Sequence, residues 1–179
     1  MKDQSDYETY KKAFLHLITV ESEAYTDLIF DSGGPTKYGV TLATLQLYRR
    51  RPQTAADVRN LSLKDAEEIY YKQYWLTMRL DGLPERLAMA LFDQGVNRGT
   101  GTAIQSLQRC LKTDTDGVIG PVTRALIMTA SDKGLTWAFL KECARSYGRI
   151  VQRNPSQAIF IVGWIERLNR LTERLLLFS

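Results

Sequence analysis

Histidine occurs once and cysteine twice in the 179 residues. Cys110 and Cys143 show no CxxC spacing, so neither a structural zinc site nor a disulfide framework is expected, and no metal or organic cofactor is implied. No run approaches the roughly 18–20 apolar residues of a membrane span, which speaks against stable membrane insertion. The opening MKDQSDYETYKK has no apolar signal-peptide core. Synthesis in the cytoplasm without a Sec signal is expected, and any target elsewhere must be reached by another route. Charge of one sign is also scarce. The excess of 24 basic over 20 acidic side chains gives +4, too little to imply nucleic acid, though it suits an acidic polymer. With 44% apolar and 25% charged residues, the chain is neither disordered nor of low complexity. No internal repeat and no long linker divides it.

Helical periodicity dominates what is there. One helix is predicted from residue 6 to about 22, capped by Asp6, with Phe14, Leu17 and Ile18 on its apolar face. Residues 25–41 break the pattern with glycines and read as an irregular loop with a short hairpin. Thr41 caps a helix to Tyr48, and Ser62 opens another with early acidic residues that runs to Trp75. Pro84 suits the first position of a further helix. Residues 101–111 and 121–129 form two helices joined by the turn DTDGVIG, and 135–152 and 157–176 form two more, split by Asn154-Pro155. Seven or eight helices make an all-α, α-dominant protein.

Glu21 is the residue out of character. At about 100° per residue, Tyr10, Phe14, Leu17 and Ile18 all fall within about 60° of it, so a carboxylate sits on the apolar stripe at the last helical turn. An acid held among apolar groups near a helix C-terminus has a raised pKa, which suits general-acid cleavage of a glycoside. The plainer alternative is a helix that stops before residue 21, with Glu21 in water or paired with an arginine. His16 falls on the polar face.

The segment that follows, from Glu21 to Thr41, resembles glycoside hydrolase family 108, the muramidases of phage endolysins and bacterial secretion. Its hallmark is roughly E-G-G-Y…D-x-G-G-x-T-x-x-G-I-T, matched by Glu21, Tyr25, Asp31, Gly33, Gly34, Thr36, Tyr38, Gly39 and Thr41. Residues 91–99, LFDQGVNRG, are similar to the family's F-D-x-A-V-N-x-G. Leu107-Gln108 and 116–123 resemble the L-Q…D-G-x-x-G-P-x-T of its peptidoglycan-binding portion, and 160–167 its closing F-x-x-G-W-x-x-R. One departure falls at the acid itself: counted back from Tyr25, the hallmark spacing lands on Ser22. Either one residue is inserted and Glu21 is the acid, or Glu23 substitutes, or the site is inactive; the helical-face argument favours Glu21.

The resemblance implies a lysozyme-like, two-lobed single domain, with residues 1–98 as the catalytic lobe and 99–179 as a helical peptidoglycan-binding portion packed on it. It implies hydrolysis of the β-1,4 bond between N-acetylmuramic acid and N-acetylglucosamine, with Glu21 as acid and Asp31 and Thr36 on a helper loop. Tyr25, Tyr38 and Asn97 become candidates for sugar contact, although Asn97 also reads as a plain helix stop. The rivals are a peptidoglycan-binding module with an inactive site and a lytic transglycosylase. A monomer acting on bacterial peptidoglycan, with no nucleic acid partner, is expected. Release to the wall would depend on a holin or a secretion system. The cluster of Tyr70, Tyr71, Tyr74 and Trp75 offers faces for sugar stacking, but most of it, like Phe160 and Trp164, reads as core, and the last helix as packing on the first. The DTDGVIG turn has the wrong spacing for an EF-hand.

Overall fold

The computed structural model describes residues 4–21, 25–26 and 34–177. The first helix, α1, spans Gln4–Val20. Strands β1 (Thr36–Lys37) and β2 (Val40–Thr41) pair antiparallel, Thr36 opposite Thr41 and Lys37 opposite Val40, and Thr26 bridges to the free side of Thr36. The hairpin expected inside the loop is therefore present. Thr41 caps α2 (Leu42–Arg49) by accepting from the Thr44 amide at 3.2 Å.

Two capping boxes start the next helices. Thr54 with Asp57 opens the short α3 (Ala55–Arg59), which periodicity misses because five residues carry too little pattern. Ser62 with Asp65 opens α4 (Leu63–Tyr70) where expected. The α-geometry does not continue to Trp75, because Tyr71–Trp75 form a π turn. That turn ends on the buried indole of Trp75, whose N–H donates to Asp81 Oδ1 at 2.7 Å.

Helix α5 (Glu85–Arg98) is the axis of the molecule. Pro84 precedes its first turn as the cap residue instead of occupying it. Every residue from Leu87 to Gly95 is buried, as a helix surrounded on all sides requires. It packs against α1, against α6 (Thr100–Leu111), and against α8 (Asp132–Arg153) and α9 (Ile161–Leu176). Between α6 and α8 lies α7 (Pro121–Thr129), with proline in its first turn. Ser131 caps α8 a few residues earlier than periodicity places it. The predicted 157–176 helix is a 3-10 segment, Pro155–Phe160, followed by α9. Tyr10, Phe14, Tyr70, Trp75 and Phe92 form an aromatic cluster where α1, α4 and α5 meet.

Two side chains differ from expectation. His16 is 8% exposed, not on a wet face, because α9 covers a second side of α1 while α5 covers the first. Phe160 is 49% exposed; the 3-10 segment carries it outward, where it stacks on the half-buried Trp164. The DTDGVIG turn closes on itself: Asp116 Oδ1 accepts from the Val118 amide and from Gln108 Nε2. Among the described residues no helix is long and apolar enough to cross a membrane.

Candidate active site

Helix α1 ends at Val20, yet the Glu21 amide still donates to the Leu17 carbonyl at 2.9 Å, so Glu21 leaves the helix in a fixed direction. Phe14, Leu17 and Ile18 on its stripe are buried, but the carboxylate projects past them to meet an arginine. Its Oε1 accepts from Arg167 Nη1 at 2.7 Å. The same guanidinium donates from Nε to Asp93 Oδ1 at 3.1 Å, and its Nη2 lies 3.1 Å from Asp93 Oδ2. Exposure falls across the three side chains, from 23% for Glu21 to 12% for Arg167 and 2% for Asp93. The apolar enclosure expected for Glu21 is thus replaced by the plainer alternative of an arginine pair. Helical periodicity sees only the acid's own element, and Arg167 comes from α9. Burial works against the Arg167 charge, but Asp93 and then Glu21 outweigh it and hold its proton more tightly than in a free arginine.

The roof over the carboxylate is the β1–β2 turn. Tyr38 and Gly39 both have positive φ, 53° and 72°, as a two-residue type I′ hairpin requires. A Cβ on Gly39 would lie 2.5 Å from Tyr70 Oη and 3.0 Å from Glu21 Oε2, so backbone conformation and close approach both demand glycine. Tyr70 donates from its hydroxyl to the Tyr38 carbonyl at 3.1 Å and fixes the turn above the acid. Burial first, and the Glu21 charge second, push the Tyr70 hydroxyl pKa well up, so it remains a neutral donor. The Tyr74 hydroxyl is raised mainly by burial as well, with Glu21 contributing.

Of the residues singled out in the sequence, Glu21 and Tyr38 come together here, Tyr38 through its carbonyl and its turn. Thr36 Oγ1 donates to the Gly34 carbonyl at 3.0 Å, which ties down the start of the hairpin. Tyr25 is half-buried beneath the Arg59 guanidinium, 4.6 Å from its ring centre. Asn97 donates to Tyr147 Oη at 3.0 Å, which in turn donates to Gln94 Oε1 at 3.0 Å, and so joins α5 to α8. Asp31, Gly33, Ser22 and Glu23 lie outside the described residues. The structure adds Asp93, Arg167 and Tyr70, and gives Gly39, already matched to the hallmark, its steric reason. Their signals were present as a carboxylate inside the apolar run LAMALFDQG and a basic residue beside the buried positions of α9. No group of metal-binding side chains occurs among the described residues.

The family model described as Glycosyl hydrolase 108 matches residues 15–99, and the one described as Predicted Peptidoglycan domain matches 102–169. Among solved structures, SagA of Brucella abortus is similar at 31% identity over 97% of each chain, with a TM-score of 0.82. The comparison with curated proteins gave no match. An α-dominant, lysozyme-like fold with a helix-end carboxylate under a hairpin, followed by a peptidoglycan domain, defines a glycoside hydrolase that acts on peptidoglycan. The chain belongs to the glycosyl hydrolase 108 family.

Proposed function

We propose that the protein is an N-acetylmuramidase that cleaves the β-1,4 bond between N-acetylmuramic acid and N-acetylglucosamine, with Glu21 as the general acid. Glu21 gives its proton to the glycosidic oxygen as the bond from that oxygen to C1 breaks through an oxocarbenium-like state. Water then bonds to C1, and the proton it loses restores the acid. The single observation that supports this best is the sharing of one guanidinium by two carboxylates. With both ionised, the set of three carries a net negative charge. Asp93 faces the Nε and Nη2 side of Arg167 and balances its charge, while Nη1 holds the Glu21 carboxylate in place. Asp93 is the more deeply buried and makes two contacts with the guanidinium, so Glu21 is the carboxylate of the pair that lies nearer the surface, where a glycan can meet it.

In this reading Asp31 and Thr36 belong to the loop that orients water, Thr36 by holding the loop's own backbone. Tyr25 and Tyr38 border the sugar path, and Asn97 acts through Tyr147 on the placement of α5. Residues 1–98 supply the chemistry and 99–179 the hold on the wall, in a monomer. The test is mass spectrometry of the fragments released from purified peptidoglycan. Reducing-end muramic acid is expected. Anhydro-muramic ends would instead mean a lytic transglycosylase, and binding without release a wall-anchoring module. Release that survives Glu21→Gln but vanishes in Glu23→Gln would move the acid to residue 23.

A further inference from the structure

Away from Glu21, the ends of α5, α6 and α8 enclose a groove of about 530 Å³ lined by four arginines, Arg98, Arg109, Arg149 and Arg153. Only one carboxylate answers them among the described residues. Glu142 accepts from Arg109 Nε at 3.1 Å and from Arg149 Nη2, while Arg98 and Arg153 form no ion pair there. Arg98 has neutral company instead: Ser146 Oγ, Ser106 Oγ, and the face of Tyr147 with its ring centre 5.3 Å away. Its Nε and Nη1 are buried without a hydrogen-bond partner. Guanidinium groups gathered from three helices, with their charge largely unbalanced, form a receptor for an anion, and their planar forks match carboxylate or phosphate oxygens. The volume is that of a small-ligand pocket.

We infer that this groove binds the carboxylates of peptidoglycan's acidic stem peptide, while the glycan strand lies at the Glu21 site. The inference rests on the peptidoglycan reading. Arg109, Arg149 and Arg153 all fall within residues 102–169, the stretch matched to the peptidoglycan domain. Arg98 lies on the same helix as Asp93, about 7.5 Å further along its axis, so one rigid element joins the groove to the catalytic ion pair. A strand held at both places would be gripped by sugar and by peptide together.

The test uses the full chain and three probes: the disaccharide–tetrapeptide that a muramidase leaves, which holds no bond left to cut, the same disaccharide stripped of its peptide, and inorganic phosphate. The peptide-bearing probe is expected to bind at least tenfold more tightly than the bare disaccharide. Arg149→Gln/Arg153→Gln should abolish that advantage and leave binding of the bare disaccharide unchanged. Should the double variant melt early, Arg153→Gln alone, at an exposed residue, is expected to reduce the advantage severalfold. Equal binding of the two saccharides, or an advantage that survives in both variants, overturns the inference. Phosphate binding that the variants remove, without any preference for peptide, overturns it in favour of a phosphate site. Digestion of whole peptidoglycan separates the two readings. Glycan cleavage without the peptide advantage removes only the groove, whereas the advantage without cleavage removes only the reaction.

Discussion

Glu21, Arg167 and Asp93 form one electrostatic unit, and each member answers differently to removal. Glu21→Gln keeps an oxygen for Arg167 Nη1, so the fold should survive while muropeptide release falls by about 10²–10⁴-fold, the usual worth of a general acid. Thermal melting beside chromatography of the digest separates the two effects. Arg167→Met is expected to be worse for stability than for any single step of chemistry, because it strands Asp93, only 2% exposed, without a counter-charge. Breaking such a pair costs about 3–5 kcal/mol, and denaturant unfolding should show a loss of that order. Adding Asp93→Asn to Arg167→Met should recover part of it. Gly39→Ala should lower stability by about 1 kcal/mol or more through its positive φ. It should lower activity further, since the new methyl displaces Tyr70 and Glu21.

Two helix starts set by local chemistry were legible in the sequence, whereas the capping box of the short α3 was missed and Asp6, expected as a cap, lies inside α1. Thr41 and Ser62 cap where expected, since a capping side chain and the amide it serves are three residues apart. The π turn at Tyr71–Trp75 and the 3-10 segment before α9 were not legible, because neither changes the apolar pattern enough to mark a different helical geometry. His16 shows a second limit. A wheel with one apolar stripe assumes one covered side, but α1 is covered by both α5 and α9. Burial lowers the His16 pKa below its ordinary 6.5; Asp93 opposes the shift, while Arg174 and Arg167 add to it. A depressed folded value means that the unfolded chain takes up the proton first. The contribution of His16 to stability is therefore intact above pH 6.5 and is lost as pH falls through the folded value. Denaturant midpoints measured from pH 7.5 to 5 should decline more steeply for the natural chain than for His16→Gln.

Across the whole molecule, α5 is the element that both matched stretches share a surface with: α1 and α4 pack toward one side of the core, α6 and α8 toward another. Residues 1–101 expressed alone would expose the buried faces of α5 and lack Arg167. Such a fragment is expected to show no cooperative melting and no release of muropeptides, measured by calorimetry and by digestion. The overall architecture and the place of Glu21 at the end of the first helix could be read from periodicity, whereas the hallmark spacing counted back from Tyr25 lands on Ser22. The acid's partners could not be read, because Glu21 and Arg167 are 146 residues apart and no local pattern encodes so distant a contact. That separation has a consequence for the cell making the protein. While the ribosome is still adding the middle of the chain, the Glu21 carboxylate has no arginine to hold it, and it acquires one only when α9 has emerged and docked. A product terminated early by a nonsense codon or clipped by a protease ahead of α9 accordingly lacks the partner of Glu21, and only copies read almost to their last turn hold the complete ion-paired set.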